Sequence, residues 1–171
     1  VLIPSTLLAQ VDASVGGKTA INHPLGKNMI GAFHQPVKVI TDMGLLRSLS
    51  MRQINEGLAE IIKHSLLSGD EFFEWLYANF NNLIEIKDEE LEETVYRSIE
   101  IKASIVEQDE REQGIRKILN LGHTYGHAIE LYGGYNEFSH GEAVAIGMIM
   151  ALNLSIEAVS YTHLRAHETI A

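Results

Sequence analysis

The sequence predicts a chain that is mostly α-helical. Its helical part follows a shorter part of loops and strands. All three prolines lie within residues 1–36, together with one glycine pair and other turn signals that favour loops and short extended segments. From about residue 50 to residue 155 there is no proline, and apolar residues recur at the spacing of an amphipathic helix. We therefore predict a boundary near residue 45 between the two parts.

The composition excludes several classes of protein. Of the 171 residues, 46% are hydrophobic and 21% are charged, which is typical of a folded chain. The formal net charge of -10 argues against nucleic acid as the main partner, because phosphate binding needs a basic surface. No apolar run approaches the roughly 20 residues that span a bilayer, and the first ten residues lack the pattern of a signal peptide. We therefore expect a cytoplasmic protein without a membrane partner.

The elements of the first part are short. Residues 7–12 predict a short helix, and the rest of residues 1–36 predicts loops and short extended pieces. Residues 37–41 (VKVIT) follow a proline and are rich in β-branched side chains, which predicts a strand.

The second part predicts five helices, because apolar residues recur every three or four positions and capping residues or glycines stand at the expected ends. Serine and glutamate three residues apart at the start of the last helix make a capping-box pattern. The first predicted helix carries an apolar stripe at 54–62, and the second is a short helix capped by Asp70. The other three are Leu91–Gln108, Ile115–Tyr132, which ends at Gly133 and Gly134, and a helix that starts at Ser139.

A line of polar side chains follows the predicted helix at 115–132. A guanidinium, an amide and two imidazoles fall within an arc of roughly 60°, since each residue turns the helix by about 100°. Two histidines four residues apart on one helix face form a good metal-binding pair, whereas a solvent-facing polar stripe is the alternative. The four residues are Arg116, Asn120, His123 and His127.

Other residues could complete a metal site. The chain has no cysteine, so thiolate ligands are excluded and any metal must be bound by histidine and carboxylate side chains. Glu60, inside an apolar helix, and His140, at a helix start, are candidates. The alternatives are an ion pair between Glu60 and Lys63, and an ordinary loop position for His140.

Lysines form a second group of candidates, for binding an anion. Lys18 and Lys27 each follow a glycine, which lets the backbone approach an anion while the ammonium neutralises it. Residues 17–19 (GKT) resemble the end of a phosphate-binding P-loop, but Asp12 stands where that motif needs a glycine, so we reject it. Lys63 and Lys102 lie on predicted helices, and for each lysine a surface position is the alternative.

Five motifs in the chain resemble those of the 3-dehydroquinate synthase family, and they occur in the family's order. Together they extend over roughly residues 1–155, which makes the match highly specific. The motifs are residues 4–19 (PSTLLAQVDASVGGKT), 26–31 (GKNMIG), 56–63 (EGLAEIIK), 116–128 (RKILNLGHTYGHA) and 140–144 (HGEAV).

The resemblance implies roles for the metal and proton-transfer residues. Glu60, His123 and His140 match the family's zinc ligands. His127 matches the family's catalytic base, so the two histidines of the predicted helix have different roles: one binds the metal and the other transfers a proton.

The resemblance also implies residues that bind the cofactor and the substrate. Asp12 and Lys27 match residues near the nicotinamide of NAD and near the substrate. Other positions match residues that bind the phosphate, carboxylate and hydroxyls of the substrate, and some of them are also catalytic in the family. They are Lys18, Lys63, Arg116 and Asn120, which match both kinds of role, and Asn28 and Lys102, which match binding roles.

The reaction that the resemblance implies is that of a lyase of the shikimate pathway, which leads to aromatic amino acids. 3-Deoxy-D-arabino-heptulosonate 7-phosphate is converted to 3-dehydroquinate and phosphate, by transient oxidation with NAD, elimination, reduction and aldol closure. The family requires Zn²⁺ or Co²⁺ and implies a homodimer.

The family's architecture is an α/β two-domain fold. Residues 1–44 then correspond to the end of the NAD-binding α/β domain, and 45–155 to the helical metal- and substrate-binding domain. Residues 156–171 do not continue the pattern and are expected to be a non-native tail, in which His163 and His167 are not functional.

Family members are about twice as long as this chain, so we expect it to be truncated at both ends. On its own it should neither bind NAD tightly nor turn over. Three alternatives stay open: a related cyclase such as 2-deoxy-scyllo-inosose synthase, a metal-dependent glycerol or alcohol dehydrogenase, and a helical interaction module without activity.

Overall fold

The computed structural model describes residues 1–24, 26–85, 88–134 and 137–168. The side chains of residues 26, 27, 88 and 160–168 lie outside this description. The chain divides into two compact units, Val1–Leu119 and Asn120–Ala171, and each is described by itself.

The first unit combines a hairpin with three α-helices. Its irregular elements are a π-helical turn at Ala9–Ala13 and 3₁₀-helices at Met43–Ser48 and Ile115–Asn120. Its strands are β1, Lys18–His23, and β2, Gly26–Phe33, and its helices are α1, Met51–Ser68, α2, Asp70–Ile84, and α3, Asp88–Gln108.

The hairpin and the segment after it differ from the prediction. Strands β1 and β2 pair antiparallel, with Lys18 opposite Phe33, where only short extended pieces were predicted. The predicted strand at 37–41 is wrong, because within the part of the chain that the structure describes this segment forms only an isolated bridge, between Val39 and Leu2. β-branched residues favour an extended backbone, but a strand also requires a partner strand of similar length.

Helix α1 carries the residues that organise the first unit. It begins with a capping box, in which the Ser50 hydroxyl accepts from the backbone N–H of Gln53 and the Gln53 side chain accepts from that of Ser50. Gly57 lets residues 7 and 8 approach closely, because a Cβ there would lie 2.4 Å from Leu7 Cγ. The core is formed by Leu7, Val11, Leu46, Ile54, Leu58, Ile61, Phe72, Leu76, Leu83, Leu91 and Val95.

The predicted helices of the first unit are present with small differences. The long helix predicted over Leu91–Gln108 is confirmed and begins at Asp88. Asp70 does not cap α2: it lies in the first turn, and Gly69 is the N-cap residue with φ of 100°.

The second unit is a pair of helices, α4 at His123–Tyr132 and α5 at His140–Glu168. Gly133 ends α4, as predicted. The predicted capping box is confirmed, since the Ser139 N–H donates to Glu142 Oε2 at 2.8 Å and the Glu142 N–H donates to Ser139 Oγ at 3.4 Å. The two helices pack closely, because a Cβ on Gly147 of α5 would lie 2.1 Å from the backbone oxygen of Gly122.

The single helix predicted over Ile115–Tyr132 is wrong. The structure has a 3₁₀-helix up to Asn120, and α4 starts anew at His123. Gly122 adopts φ of 80°, a left-handed conformation that interrupts a right-handed helix. Arg116 and Asn120 therefore do not continue the face of α4 that carries His123 and His127.

Helix α5 contains a stretch, His140–Val159, that is long and apolar enough to cross a membrane, with 22% of it buried. The expectation that no apolar run is long enough to span a bilayer is therefore wrong for this helix. The core helices of non-membrane proteins pass the same test of length and composition. Residues 156–168 continue α5, whereas 169–171 lie outside the described residues, so the expected non-native tail stays a prediction.

Candidate functional site

Four charged side chains of the first unit form a group, which we call the charged cluster: Asp12, which is half-buried, and Glu60, Lys63 and Lys102, which are buried. Glu60 and Lys63 lie one turn apart on α1, are 0% and 1% exposed, and form an ion pair. Lys102 of α3 donates from Nζ to Asp12 Oδ1 and to the Asp12 backbone oxygen, both at 2.6 Å. One ion pair therefore lies within α1, and the other joins α3 to the π-helical turn.

Burial and charge act in opposite directions on these groups. Burial would raise the pKa of Asp12, but Lys102 and Lys63 outweigh it and hold that pKa well below its usual value of 3.8. Burial lowers the pKa of Lys102, although the Asp12 carboxylate partly offsets this effect. Asp12 is therefore ionised at neutral pH, and Lys102 holds its proton less tightly than a lysine in water does.

His64 lies beside the charged cluster and was missed in the sequence. It is fully buried, and its Nδ1 is 2.6 Å from Ser98 Oγ. Burial and the neighbouring Lys63 lower the pKa of His64 to about 3, so the ring is neutral at physiological pH. Its Nε2 has no hydrogen-bond partner within the described ranges. The spacing of four residues from Glu60 on one helix was the available signal.

Backbone oxygens of the first unit bind the guanidinium of Arg116. Its Nη2 donates to Gly16 O at 2.8 Å and its Nη1 donates to Glu110 O, and the residue is only 2% exposed. Lys18, by contrast, is exposed on β1 and pairs with Glu112. The structure therefore holds Arg116 in the interior and presents Lys18 at the surface.

Three other predicted residues lie in exposed or incompletely described positions. Asn28 is exposed on β2 with φ of 55°, and its N–H donates to Asn22 Oδ1 at 3.0 Å. Lys27 precedes it on the strand, but its side chain lies outside the described residues. Asn120 is exposed at the end of the second 3₁₀-helix. The roles expected for these residues stay predictions.

Three histidines of the second unit lie together, which we call the imidazole cluster: His123, His127 and His140. The ring centroid of His123 is 5.5 Å from that of His127 and 5.3 Å from that of His140. The centroids of His127 and His140 are 6.4 Å apart. The first two lie one turn apart on α4, as predicted, and His140 is the first residue of α5.

A buried carboxylate adjoins the imidazole cluster, and it too was missed in the sequence. Glu130 of α4 is 2% exposed, and its Oε1 lies 3.6 Å from Nδ1 of His140. Its spacing of seven residues from His123 places it on the same helix face, which was the signal in the sequence.

The imidazole cluster has the donor chemistry of a metal site. Neutral imidazole is a preferred ligand of zinc and cobalt, and no cysteine competes with it. Nδ1 of His123 lies 3.3 Å from the backbone oxygen of Leu121, so a proton on Nδ1 would leave the Nε2 lone pair for a metal. The first unit separately holds carboxylates at Asp12 and Glu60. The residues present therefore fit a divalent metal.

Family models match the whole chain. Residues 1–56 match the model described as 3-dehydroquinate synthase N-terminal, and residues 57–171 match the one described as 3-dehydroquinate synthase C-terminal.

Curated relatives are similar over most of this chain. The 3-dehydroquinate synthase of Acinetobacter baylyi is 60% identical over 155 residues, which are 91% of this chain and 43% of that protein. The 3-dehydroquinate synthase of Blochmanniella pennsylvanica is 55% identical over 154 residues, which are 90% of this chain and 42% of that protein. The chain thus spans about two fifths of the length of these relatives.

Solved structures of cyclases share the fold. A 2-deoxy-scyllo-inosose synthase bound to carbaglucose-6-phosphate, NAD⁺ and Co²⁺ is 33% identical, with a TM-score of 0.79 over 86% of this chain and 40% of that one. The 2-epi-5-epi-valiolone synthase of Streptomyces hygroscopicus, bound to NAD⁺ and Zn²⁺, is 29% identical, with a TM-score of 0.75 over 85% of this chain and 41% of that one. The predicted fold class is confirmed: a mostly helical chain that matches part of a two-domain α/β enzyme.

Proposed function

Because the chain belongs to the 3-dehydroquinate synthase family, we propose that it supplies the metal- and substrate-binding part of an enzyme that converts 3-deoxy-D-arabino-heptulosonate 7-phosphate to 3-dehydroquinate and phosphate. The observation that carries the proposal is the convergence of His123, His127 and His140 in a chain of this family. Identity of 55% and 60% to curated 3-dehydroquinate synthases supports it over the cyclases, whose solved structures are 29% to 34% identical.

Glu60, His123 and His140 are the proposed ligands of a Zn²⁺ or Co²⁺ ion. Asp12 and Lys27 are proposed to face NAD. When bound, NAD supplies a hydride acceptor, and the metal supplies a Lewis acid for the hydroxyls of the substrate. Two observations support this assignment: the carboxylate of Glu60 is buried, and the imidazoles of His123 and His140 lie next to each other. Oxygen and imidazole ligands suit both ions.

The remaining roles follow from charge. The substrate carries a phosphate and a carboxylate, and ammonium and guanidinium groups bind both. The proposed cations are Lys18, Lys63, Lys102 and Arg116, and Asn28 and Asn120 are proposed to bind hydroxyls. Lys18 is exposed and can reach a ligand directly, whereas Lys63 and Lys102 must exchange an internal carboxylate for the substrate.

His127 is the proposed general base. It is the exposed member of the imidazole cluster, so a ring nitrogen is accessible to accept a proton from the carbon next to the oxidised centre. Its ring centroid lies 5.5 Å from that of His123, close enough for the two to serve one substrate with different roles.

A chimera tests the proposal. The 155 matched residues replace their counterpart in the Acinetobacter baylyi enzyme, and phosphate release from the heptulosonate phosphate is followed with NAD and Zn²⁺. We expect release that stops with chelator, produces no net NADH and falls at least about a hundredfold in His127→Ala, because a general base contributes about 10²- to 10⁴-fold. Glu137→Gln, an exposed change in the same unit, is the control.

Other outcomes would reassign the chain. Release from a hexose 6-phosphate but not from the heptulosonate phosphate would favour a cyclase of the 2-deoxy-scyllo-inosose synthase type. NADH that accumulates with a polyol would favour a dehydrogenase. Metal binding that survives both His123→Ala and Glu60→Ala would contradict the ligand assignment. A helical interaction module without activity should keep the binding of its partner in both variants, whereas an enzyme should lose metal and rate.

Three further features of this proposal concern the protein as a whole. We propose that residues 1–44 complete a nucleotide-binding domain and that 45–155 form the helical domain. We also propose a cytoplasmic location and, for the assembled enzyme, a homodimer. Size-exclusion chromatography of the chimera with light scattering tests the last point.

A further inference from the structure

We propose that Glu130 is a positioning residue for metal binding: its carboxylate accepts the Nδ1–H of His140 and thereby makes Nε2 the nitrogen that binds the metal. The inference deepens the proposed function and rests on its assignment of His140 as a ligand. Glu130 itself touches neither metal nor substrate in this role.

The position of the carboxylate is the first support. The side chain of Glu130 is 3% exposed, and Oε1 lies 3.6 Å from Nδ1 of His140. A buried carboxylate is costly unless hydrogen-bond donors or cations surround it, and a ring N–H of His140 is one such group. At 3.6 Å the contact is an ion-pair distance, and it needs to shorten by about half an ångström to become a hydrogen bond.

The backbone around the pair is the second support. A Cβ on Gly126 would lie 3.2 Å from the backbone oxygen of Ala143, so α4 and α5 are nearly in contact between Glu130 and His140. The capping box at Ser139 and Glu142 holds the first turn of α5, in which His140 lies. The carboxylate and the imidazole are therefore carried by two rigid segments rather than by a loop.

The chemistry of imidazole explains why this contact matters. A neutral imidazole carries one N–H, and only the other nitrogen has a lone pair for a metal. An acceptor beside Nδ1 favours the Nδ1–H tautomer, orients the ring and makes Nε2 more basic. Among the described residues, Glu130 is in no group of three side chains whose possible ligand atoms all lie within 4.8 Å of one another. This favours the indirect role over direct binding of the metal by Glu130.

Cobalt affinity of the purified chain tests the proposal. Co²⁺ is titrated into the wild type, Glu130→Gln and Glu137→Gln, with a competing chelator and the visible absorption of the ion as readouts. We expect Glu130→Gln to bind 10- to 100-fold more weakly, the range typical of such outer partners, and Glu137→Gln to bind like the wild type. Glu137 is an exposed glutamate of the same unit, so this control removes the same charge.

The tautomer of His140 provides a readout that does not depend on the metal. In the metal-free chain, ¹⁵N chemical shifts should show His140 as Nδ1–H in the wild type and as a tautomer mixture in Glu130→Gln. If Glu130→Gln does not fold, as judged by circular dichroism, Glu130→Asp replaces it and should show a smaller change in both readouts.

The outcomes separate this inference from the proposed function. A wild type that binds Co²⁺, with equal affinity in Glu130→Gln, overturns the role of Glu130 and leaves the metal assignment intact. A wild type that binds no Co²⁺ contradicts the metal assignment, and the ¹⁵N shifts then decide the role of Glu130. An Nε2–H tautomer of His140 in the wild type overturns the inference in either case.

Discussion

The charged cluster of the first unit and the imidazole cluster of the second differ in how their polar groups are satisfied. Glu60, Lys63 and Lys102 are buried and Asp12 is half-buried, and the four side chains neutralise one another in two ion pairs. The rings of His123, His127 and His140 are half-buried or exposed, and their centroids lie 5.3 to 6.4 Å apart in edge-on or tilted arrangements.

The difference predicts different consequences of mutation. Removal of one partner from a buried ion pair leaves an uncompensated charge, so it should cost mainly stability. Loss of the His123 imidazole removes a proposed metal ligand, so it should cost mainly affinity for a metal. Ion pairs between its own side chains thus stabilise the first unit. In the second unit, the packing of α4 against α5 fixes the positions of the imidazoles.

The largest expected effect is in the charged cluster. Lys63→Met should lower the free energy of unfolding by about 3–5 kcal/mol, because it leaves the fully buried Glu60 without its ammonium partner. Urea denaturation measures this loss. Lys18→Met is the matched control, since Lys18 is 47% exposed in its pair with Glu112 and should cost no more than about 1 kcal/mol. Equal losses in both variants would contradict the comparison.

A smaller effect is expected where α4 packs against α5. Gly147→Ala places a methyl group 2.1 Å from the backbone oxygen of Gly122, so the helices must separate, at a cost of about 1–3 kcal/mol. Because His140 is carried by α5, Co²⁺ affinity should fall as well. Gly114→Ala is the control, with its nearest contact at 3.7 Å. An unchanged affinity in Gly147→Ala would show that helix packing does not set the imidazole geometry.

The acid sensitivity of the first unit should depend on His64. Its pKa is about 3 in the folded chain and 6.5 in the unfolded chain, so between these values the unfolded chain binds one more proton. Stability therefore falls as the pH falls through this window, by up to about 1.4 kcal/mol per pH unit. Urea denaturation at several pH values between 6.5 and 4.5 measures how the free energy of unfolding depends on pH. His64→Gln should make this dependence weaker, whereas His34→Gln, a change at an exposed histidine, should leave it as in the wild type.

The smallest expected effect is at the helix caps. Ser139→Ala removes the acceptor for the Glu142 N–H, and Ser50→Ala removes the acceptor for the Gln53 N–H. Each should cost about 1 kcal/mol of stability. Only Ser139→Ala should also weaken Co²⁺ binding, since it loosens the turn that holds His140. A similar loss of affinity in Ser50→Ala would mean that affinity follows overall stability rather than local geometry.

Local patterns in the sequence were sufficient for most helices and for the helix face that His123 and His127 share. Periodic apolar positions predicted α1, α3 and α5, and the serine–glutamate pair at 139 and 142 predicted a capping box that the structure confirms. The spacing of His123 and His127 predicted their contact, because neighbours one turn apart on a helix meet whatever the rest of the fold does.

Contacts between segments distant in the sequence could not be predicted in this way. The left-handed Gly122 divides the helix expected at 115–132, and glycine is compatible with both a helix interior and a helix break, so packing against Met148 and Gly147 selects the break. The pairing of Lys102 with Asp12 joins residues 90 positions apart, and the approach of Glu130 to His140 depends on the crossing of two helices. Sequence spacing specifies which side chains share a face, whereas desolvation and close packing specify which faces meet.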